Sequence, residues 1–143
     1  MAKITFDKVD GAEEQIDCLF EMLNKRIHNI SHRENPSYGE HKQFVLSHPY
    51  RFWYIVLKDD FPIGTCYVMN NNSVSAFLID GEECFLENVI NFIVSNHSPL
   101  DSIKSVRPGN FYINVPTGNI DMKKRISDMG WKEVQTTFSF SQC

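Results

Sequence analysis

Two strand-forming runs in the middle of the chain constrain its fold more than any other feature. Residues 51–57, RFWYIVL, are rich in aromatic and β-branched side chains, as buried strands are. The turn sequence KDDFP separates them from a second run at residues 63–69, and an asparagine tract precedes a third run at residues 74–79. Because the connections are short, the sequence predicts a hairpin that continues into an antiparallel meander.

Helical patterns on both sides of the meander complete an α/β order. Ser37 and Glu40 have the spacing of a capping box for a helix that ends near Ser47, and Asn119 is a candidate N-cap for a helix with Gly130 at its far end. The remaining predicted elements are strands at residues 4–9, 110–115 and 134–140, and helices at residues 12–28 and 82–95. Together they predict an α/β fold, with a central mixed, mostly antiparallel sheet flanked by helices.

Composition limits the functions to consider. A chain of 143 residues predicts one domain, residues 1–143. The net charge is −4, and the only basic cluster in the sequence is at residues 123–125, so no nucleic-acid partner is expected. The sequence has neither a run of the ~20 apolar residues needed for a membrane span nor a secretory signal, so no membrane partner is expected. Four cysteines without a C-x-x-C pair indicate reduced thiols in the cytoplasm.

The hairpin and the C-terminal third together resemble one enzyme superfamily. WYIVLKDDFPIGTCYV resembles the central hairpin of the GNAT acyl-CoA-dependent N-acyltransferases, in which an acidic turn precedes the pair Ile-Gly. NFYINVPTGNIDMKKRISDMGWKEVQTTFSF is similar to their last unit: a strand, an asparagine that opens a helix, a Gly-aromatic pair and a final strand. The segment ISHRENPSYGEHKQFVLSHPYRFWYIV is similar to the second-helix region of small bacterial members that often act on amino sugars or nucleotide-linked amino sugars.

The resemblance implies acetyl-CoA as the co-substrate and places it on the strand at residues 74–79. That strand and the strand at residues 110–115 would diverge at their carboxyl ends, which frees backbone groups to pair with pantetheine and to stabilise an oxyanion. The pyrophosphate would lie at the start of the helix near Glu82, where unpaired N–H groups favour anions. The cofactor-binding residues expected on this basis are Ala76, Phe77, Leu78, Ile79, Gly81, Asn114 and Asn119.

The acceptor is expected to be a small primary amine, and the polar segment between the first two helices would lie at the mouth of its site. His41 is a natural proton acceptor, and the expected catalytic residues are His41, Glu40 and Asn114. Each of these residues also has a structural alternative. Most histidines at such positions pack at the boundary of the core. Trp53 could be a core residue as well as a residue of the acceptor groove, and Asn114 could equally belong to a strand ladder. The expected substrate-binding residues are His32, Arg33, Tyr38 and Trp53. His28 and His32 lack a third ligand, so no metal is expected.

The sequence departs from the family pattern in two places. The family has a glycine-rich loop with a basic residue before the phosphate-binding helix, whereas this chain has Asp80-Gly81-Glu82-Glu83, a degenerate, acidic junction. The Tyr and Ser of the last helix are replaced by Ile126 and Met122. Lys104 and Arg107, in the long connection before residue 110, are candidate substitutes for the lost cation. The alternative function is therefore a GNAT-fold pseudoenzyme that binds a partner without CoA turnover. The last strand offers an edge for a homodimer.

Overall fold

The computed structural model describes residues 2–28 and 36–141, with residues 26–28 described by their backbone alone. The elements follow the predicted order as far as the fourth helix, and a single 3-10 turn, Glu83–Phe85, precedes the third helix. They are β1 (Ile4–Lys8), α1 (Glu13–His28), α2 (Tyr38–Leu46), β2 (Phe52–Lys58), β3 (Phe61–Val68), β4 (Ser73–Leu78), α3 (Leu86–Asn96), β5 (Tyr112–Ile113) and α4 (Ile120–Asp128). No helix in the described residues is long and apolar enough to cross a membrane.

The five strands form one sheet in the order β1-β2-β3-β4-β5. The first four are antiparallel to their neighbours and β5 is parallel to β4, which confirms the mixed, mostly antiparallel sheet. The β2–β3 hairpin turns at Asp59 and Asp60, whose φ angles of 49° and 70° are the left-handed values that a tight hairpin turn requires. Aspartate tolerates this conformation better than most residues, which explains the acidic turn.

Gly64 is required by a close approach within the meander. A Cβ at this position would lie 2.2 Å from the carbonyl oxygen of Phe77 on β4. The oxygen belongs to the sheet backbone and cannot turn away as a flexible side chain could. The glycine of the Ile-Gly pair therefore allows β3 and β4 to pack at this distance.

Helices cover both faces of the sheet. On one face, α1 and α2 pack against the sheet with Ile16, Leu19 and Val45 buried beside Trp53 and Ile55. On the other face, α3 buries its apolar stripe against β2, β3 and β4 through residues that include Val89 and Ile93. The period-two pattern of the strands produces this division because alternate side chains point to opposite faces.

The prediction of a last strand at residues 134–140 is wrong for the single chain. Residues 132–140 belong to no strand or helix, and all nine are exposed. A sequence that alternates polar and apolar residues forms a strand only beside another strand, and β5 is two residues long instead of the six predicted. The third helix also begins later than residue 82, because Gly81 at φ 92° and the 3-10 turn must reverse the chain first.

Candidate active site between β4 and β5

A gap opens between β4 and β5 where their pairing stops. In the described part of the chain, the two strands are paired at Ser73–Tyr112 and Val74–Ile113 alone, while β4 continues to Leu78. Pairing that stops at this point agrees with the predicted divergence of the strands. We call this space the β4–β5 gap, bounded by residues 75–79 on one side and residues 114–117 on the other.

Two residues of β4 direct their backbone N–H and C=O groups into the gap. Ile79 N–H donates to the carbonyl oxygen of Ile63 at 2.9 Å, so Ile79 faces β3. Strand groups alternate in direction, so Phe77 faces β3 as well, and Ala76 and Leu78 point their N–H and C=O groups into the gap. Of the four residues predicted to offer backbone groups, the geometry brings two to the gap and uses the other two in the sheet.

The wall of the gap on the α3 side is apolar. Ala76 and Leu78 pack with Val115 and Met122 around a buried cluster of Leu86, Ile90 and Ile126. Ile126 and Met122, which replace polar residues of the family pattern, are thus core residues. A wall of this kind excludes water and suits the methylene-rich arm of a pantetheine.

The junction between β4 and α3 is occupied by the chain's own carboxylates. The N–H of Gly81 donates to a carboxylate oxygen of Glu83 at 3.0 Å. Lys58 Nζ lies 3.1 and 3.2 Å from the two carboxylate oxygens of Glu82 and sits over the ring of Phe85. The place where a pyrophosphate would bind is therefore filled by two anionic side chains.

A second cation lies beside the same turn. Arg125 on α4 donates from Nε to Asp121 at 2.8 Å. This hydrogen bond raises the pKa of the Arg125 guanidinium, and the negative charge of Glu83 adds to the rise. Lys58 is paired with Glu82 and Arg125 is paired with Asp121. The gap thus fits the pantetheine and acyl end of acetyl-CoA, whereas the junction fits the phosphates only after Glu82 and Glu83 move.

The side chains of His41 and Glu40 make hydrogen bonds that stabilise the fold. His41 is buried on α2, and its Nε2 lies 3.2 Å from the carbonyl oxygen of Ile16, so Nε2 carries the proton that this oxygen accepts. Burial lowers the pKa of His41, which keeps the ring neutral. Glu40 completes the predicted capping box, because Ser37 Oγ accepts from its N–H and donates to its carboxylate. Neither side chain reaches the β4–β5 gap through these contacts.

The expected acceptor residues are divided among the core, the surface and the undescribed segment. Trp53 is buried, and its Nε1–H donates to Thr65 Oγ1 at 2.7 Å. Tyr38 Oη donates to a carboxylate oxygen of Asp17, and this hydrogen bond raises the pKa of the tyrosine. His32 and Arg33 lie outside the described residues.

Two asparagines at the far side of the gap have different roles. Asn119 is the N-cap of α4, since its side chain accepts from the N–H of Met122 at 3.1 Å, as the sequence predicts. Asn114 follows β5 directly and its side chain is exposed. Tyr112 N–H donates to Asn72, so by alternation the backbone of Asn114 also points to the gap.

The sequence did not reveal the residues that fix β5 and the junction. Asn72 is buried at φ 72°, donates to the carbonyl oxygens of Leu100 and Pro108, and accepts from the N–H of Leu100. It anchors the long connection before β5. Arg107, a predicted substitute cation, is used in the same connection, where it donates to the carbonyl oxygens of Asp101 and Asn70. For Lys58, which pairs with Glu82, no pattern in the sequence indicated a role beyond its position at the end of a strand.

Comparison with known proteins identifies the architecture. No protein-family model and no curated protein matches the sequence. Solved structures match it throughout its length. The aminoglycoside N-acetyltransferase AAC(6')-Iy in complex with CoA superposes with a TM-score of 0.60 at 12% identity, over 99% of this chain and 96% of that one. The chain has a GNAT-like fold.

Two further structures support the assignment of the GNAT-like fold. A domain from Methanocaldococcus jannaschii DSM 2661 has a TM-score of 0.66 at 14% identity, over 96% of this chain and 93% of that one. The aminoglycoside acetyltransferase meta-AAC0020, from an uncultured soil metagenomic sample in complex with sisomicin, has a TM-score of 0.59 at 8% identity, over 98% and 97%. At these identities the likeness establishes a shared fold and not a shared activity. Among the described residues, no group of three or more His, Cys, Asp or Glu side chains is placed to hold a metal ion.

Proposed function

We propose that the protein is an acyl-CoA-dependent N-acyltransferase that transfers an acetyl group to a small primary amine. The observation that carries this proposal is the β4–β5 gap, where the backbone groups of Ala76 and Leu78 are directed away from β3 beside an apolar wall. In the described part of the chain these groups have no strand partner, because β4 and β5 pair over two residues only. A sheet interior rarely tolerates such groups unless water or a ligand satisfies them.

The chain's own residues would orient the acyl group and polarise it. When bound, acetyl-CoA supplies an activated thioester. The N–H of Ala76 would donate to its carbonyl oxygen and hold the negative charge that develops there as the amine attacks. The opposite strand would contribute the backbone of Asn114. The C–S bond of the thioester then breaks and CoA leaves as a thiolate. His41 and Glu40 are engaged elsewhere, so we assign removal of the amine proton and protonation of the thiolate to water at the exposed side of the gap.

The phosphates would lie at the start of α3 between Lys58 and Arg125. Lys58 is at this junction, paired with Glu82, and Arg125 on α4 is paired with Asp121, so a pyrophosphate would have to compete with both carboxylates. The free amides of the turn at Gly81 would then face the ligand. This arrangement replaces the missing glycine-rich loop with two side-chain cations.

An amino sugar is the acceptor we favour within the class of small amines. Two of the similar structures are aminoglycoside acetyltransferases, which is one support for this choice. The excess of 18 acidic over 14 basic residues is another, because it attracts a cationic amine. Asp17 and Tyr38 form a hydrogen bond where α1 meets α2, and these two side chains would border the acceptor site.

Turnover tests the proposal directly. Thiol release from acetyl-CoA should depend on an amino sugar or aminoglycoside in a panel of primary amines. Ala76→Pro removes the N–H that points into the gap without removing a bond to β3, so kcat should fall by about 10²–10³-fold. Ala76→Ser, which keeps this N–H, should retain activity. No release with any amine, or full activity in Ala76→Pro with an unchanged melting temperature, would overturn the mechanism.

One observation favours the alternative, a GNAT-fold binding module without turnover. Glu83 already accepts from Gly81, and Glu82 already neutralises Lys58. If these contacts persist in the presence of CoA, the junction cannot hold a pyrophosphate. The two functions differ in CoA affinity, because the binding module predicts none.

A further inference from the structure

A cleft lies at the end of the molecule opposite to the junction. It has a volume of about 610 Å³ and opens between the end of α3, the start of β5 and the end of α4. The junction lies at the start of α3, so the length of this helix separates the two places by about 16 Å. A ligand in this cleft would therefore bind apart from the β4–β5 gap and its junction.

The polar part of the cleft consists of groups that can donate hydrogen bonds. Four lining side chains have an N–H or O–H group without a hydrogen-bond partner in the described part of the chain, and these are His97, Ser98, Asn110 and Trp131. No described Asp or Glu lines the cleft, although the chain has 18 of these residues. Free donors without a carboxylate beside them favour an anionic ligand.

The tautomer of His97 follows from its bond to Tyr54. Tyr54 is buried, and its hydroxyl lies 2.7 Å from His97 Nε2 and has no other partner among the described residues. The hydroxyl therefore donates to Nε2, and the proton of the neutral ring is on Nδ1. His97 also stacks on Phe52 with the ring centroids 3.7 Å apart, which holds the ring at the edge of the cleft. Nδ1–H is thus a positioned donor.

Arg51 places a cation beside the same edge. Its Nη1 donates to the carbonyl oxygen of Ser98 at 2.9 Å, and its guanidinium lies 4.8 Å from the centroid of the Phe52 ring. The other two guanidinium nitrogens have no hydrogen-bond partner in the described part of the chain. A guanidinium held in this way can offer its free N–H groups to an anion at little cost in side-chain entropy.

Lys8 adds a second positive charge near His97. Lys8 is paired in register with Tyr54, so both side chains are on the sheet face that α3 covers. Burial lowers the pKa of His97, and the charges of Arg51 and Lys8 lower it further. The described residues that β5 and α4 contribute to the cleft are uncharged, so nothing from that side offsets the repulsion. A bound anion would offset it.

Aromatic side chains supply the rest of the lining. Phe111 and Trp131 are half-buried in the wall, and Val94 beside them is 42% exposed. Ring faces of this kind pack against another flat or apolar group. The cleft therefore combines a place for an anion with a place for a ring, as small-molecule sites commonly do.

We propose that this cleft binds an organic phosphate monoester, with the phosphate beside Arg51 and His97 and the organic part against Phe111 and Trp131. A phosphate monoester presents three strong acceptor oxygens and close to two negative charges, which matches several separate donors and two nearby cations. A carboxylate has one oxygen and one charge fewer. The proposal does not depend on CoA binding or on turnover.

Titration of the full chain with phenyl phosphate, followed by proton–nitrogen correlation NMR, tests the proposal. The chain has two tryptophans, so two indole N–H signals report on binding. The Trp131 signal should shift and saturate, whereas Trp53, which donates to Thr65 on the opposite face of the sheet, is the internal control and should not move. Phenol, which has the ring alone, should leave both signals in place, and inorganic phosphate should bind more weakly than phenyl phosphate. Excess CoA should not displace the ligand.

Three variants locate the anion. Arg51→Gln should weaken binding about tenfold or more, because a charge-assisted hydrogen bond is lost. Asn110→Asp introduces a carboxylate at an exposed position of the lining and should abolish saturable binding while circular dichroism stays unchanged. Lys124→Gln removes a positive charge from the exposed surface of α4 and should bind phenyl phosphate as the unmodified protein does.

The protonation of His97 distinguishes this site from general attraction to positive charge. A bound dianion favours the imidazolium, so the pKa of His97 should rise from its lowered value when phenyl phosphate saturates the protein. His97→Gln identifies the signal, and His48, which packs on Trp53 on the opposite face, should keep its pKa. An unmoved Trp131 signal, an unchanged pKa of His97, or equal binding by Asn110→Asp and the unmodified protein would overturn the proposal.

Discussion

Replacing Glu83 with alanine should strengthen CoA binding, because it releases the N–H of Gly81 and removes a negative charge from the phosphate position. The carboxylate accepts from Gly81 at 3.0 Å in an exposed turn. A hydrogen bond at such a site has a net value of about 1 kcal/mol, and CoA no longer has to break it in the variant. This corresponds to about fivefold in affinity, and loss of repulsion between Glu83 and the phosphates raises the expected gain to about tenfold.

Isothermal titration of CoA into Glu83→Ala and the unmodified protein measures this gain. Glu87→Ala is the matched control, since it removes one carboxylate from the first turn of α3 without touching Gly81. The apo variant should melt slightly below the unmodified protein because the turn loses a bond, so stability and affinity should change in opposite directions. Equal affinity in Glu83→Ala and Glu87→Ala would refute the reasoning and place the phosphates elsewhere.

Two further predictions concern the fold. Gly64→Ala should lower the free energy of unfolding by about 3 kcal/mol, because the new methyl would meet the carbonyl oxygen of Phe77; a denaturation midpoint close to that of the unmodified protein would contradict the geometry. Burial lowers the pKa of His41 below its unfolded value, so the unfolded state binds more protons and stability should fall as pH decreases below about 6.5. His41→Gln should flatten this part of a melting-temperature profile, and an unchanged slope would contradict the assigned role.

Local patterns predicted most of the fold. The strand runs of the meander, the Ser37–Glu40 capping box and the Asn119 cap depend on residues a few positions apart, and all are present. The last strand failed because alternation indicates a strand-forming segment but not the chain that it pairs with. The start of α3 was misplaced because the turn at Gly81 and the 3-10 segment both resemble a helix start.

The candidate site was less predictable because its contacts join distant parts of the sequence. The sequence left His41 open between a boundary packing residue and a proton acceptor, because its partner is a carbonyl group 25 residues earlier. The sequence showed that the junction is acidic, and the structure adds that Glu82 is paired with Lys58, 24 residues away. The divergence of β4 and β5 followed from a resemblance to the family and could not have been inferred from periodicity.

Calorimetric titration of acetyl-CoA into the unmodified protein tests the central claim, that the β4–β5 gap and its junction hold an acyl-CoA. The account predicts a single site with a dissociation constant below about 100 µM, together with a rise in melting temperature that grows with ligand concentration. Absence of both heat and thermal stabilisation at millimolar acetyl-CoA would contradict it, and the binding module would then be the function that remains.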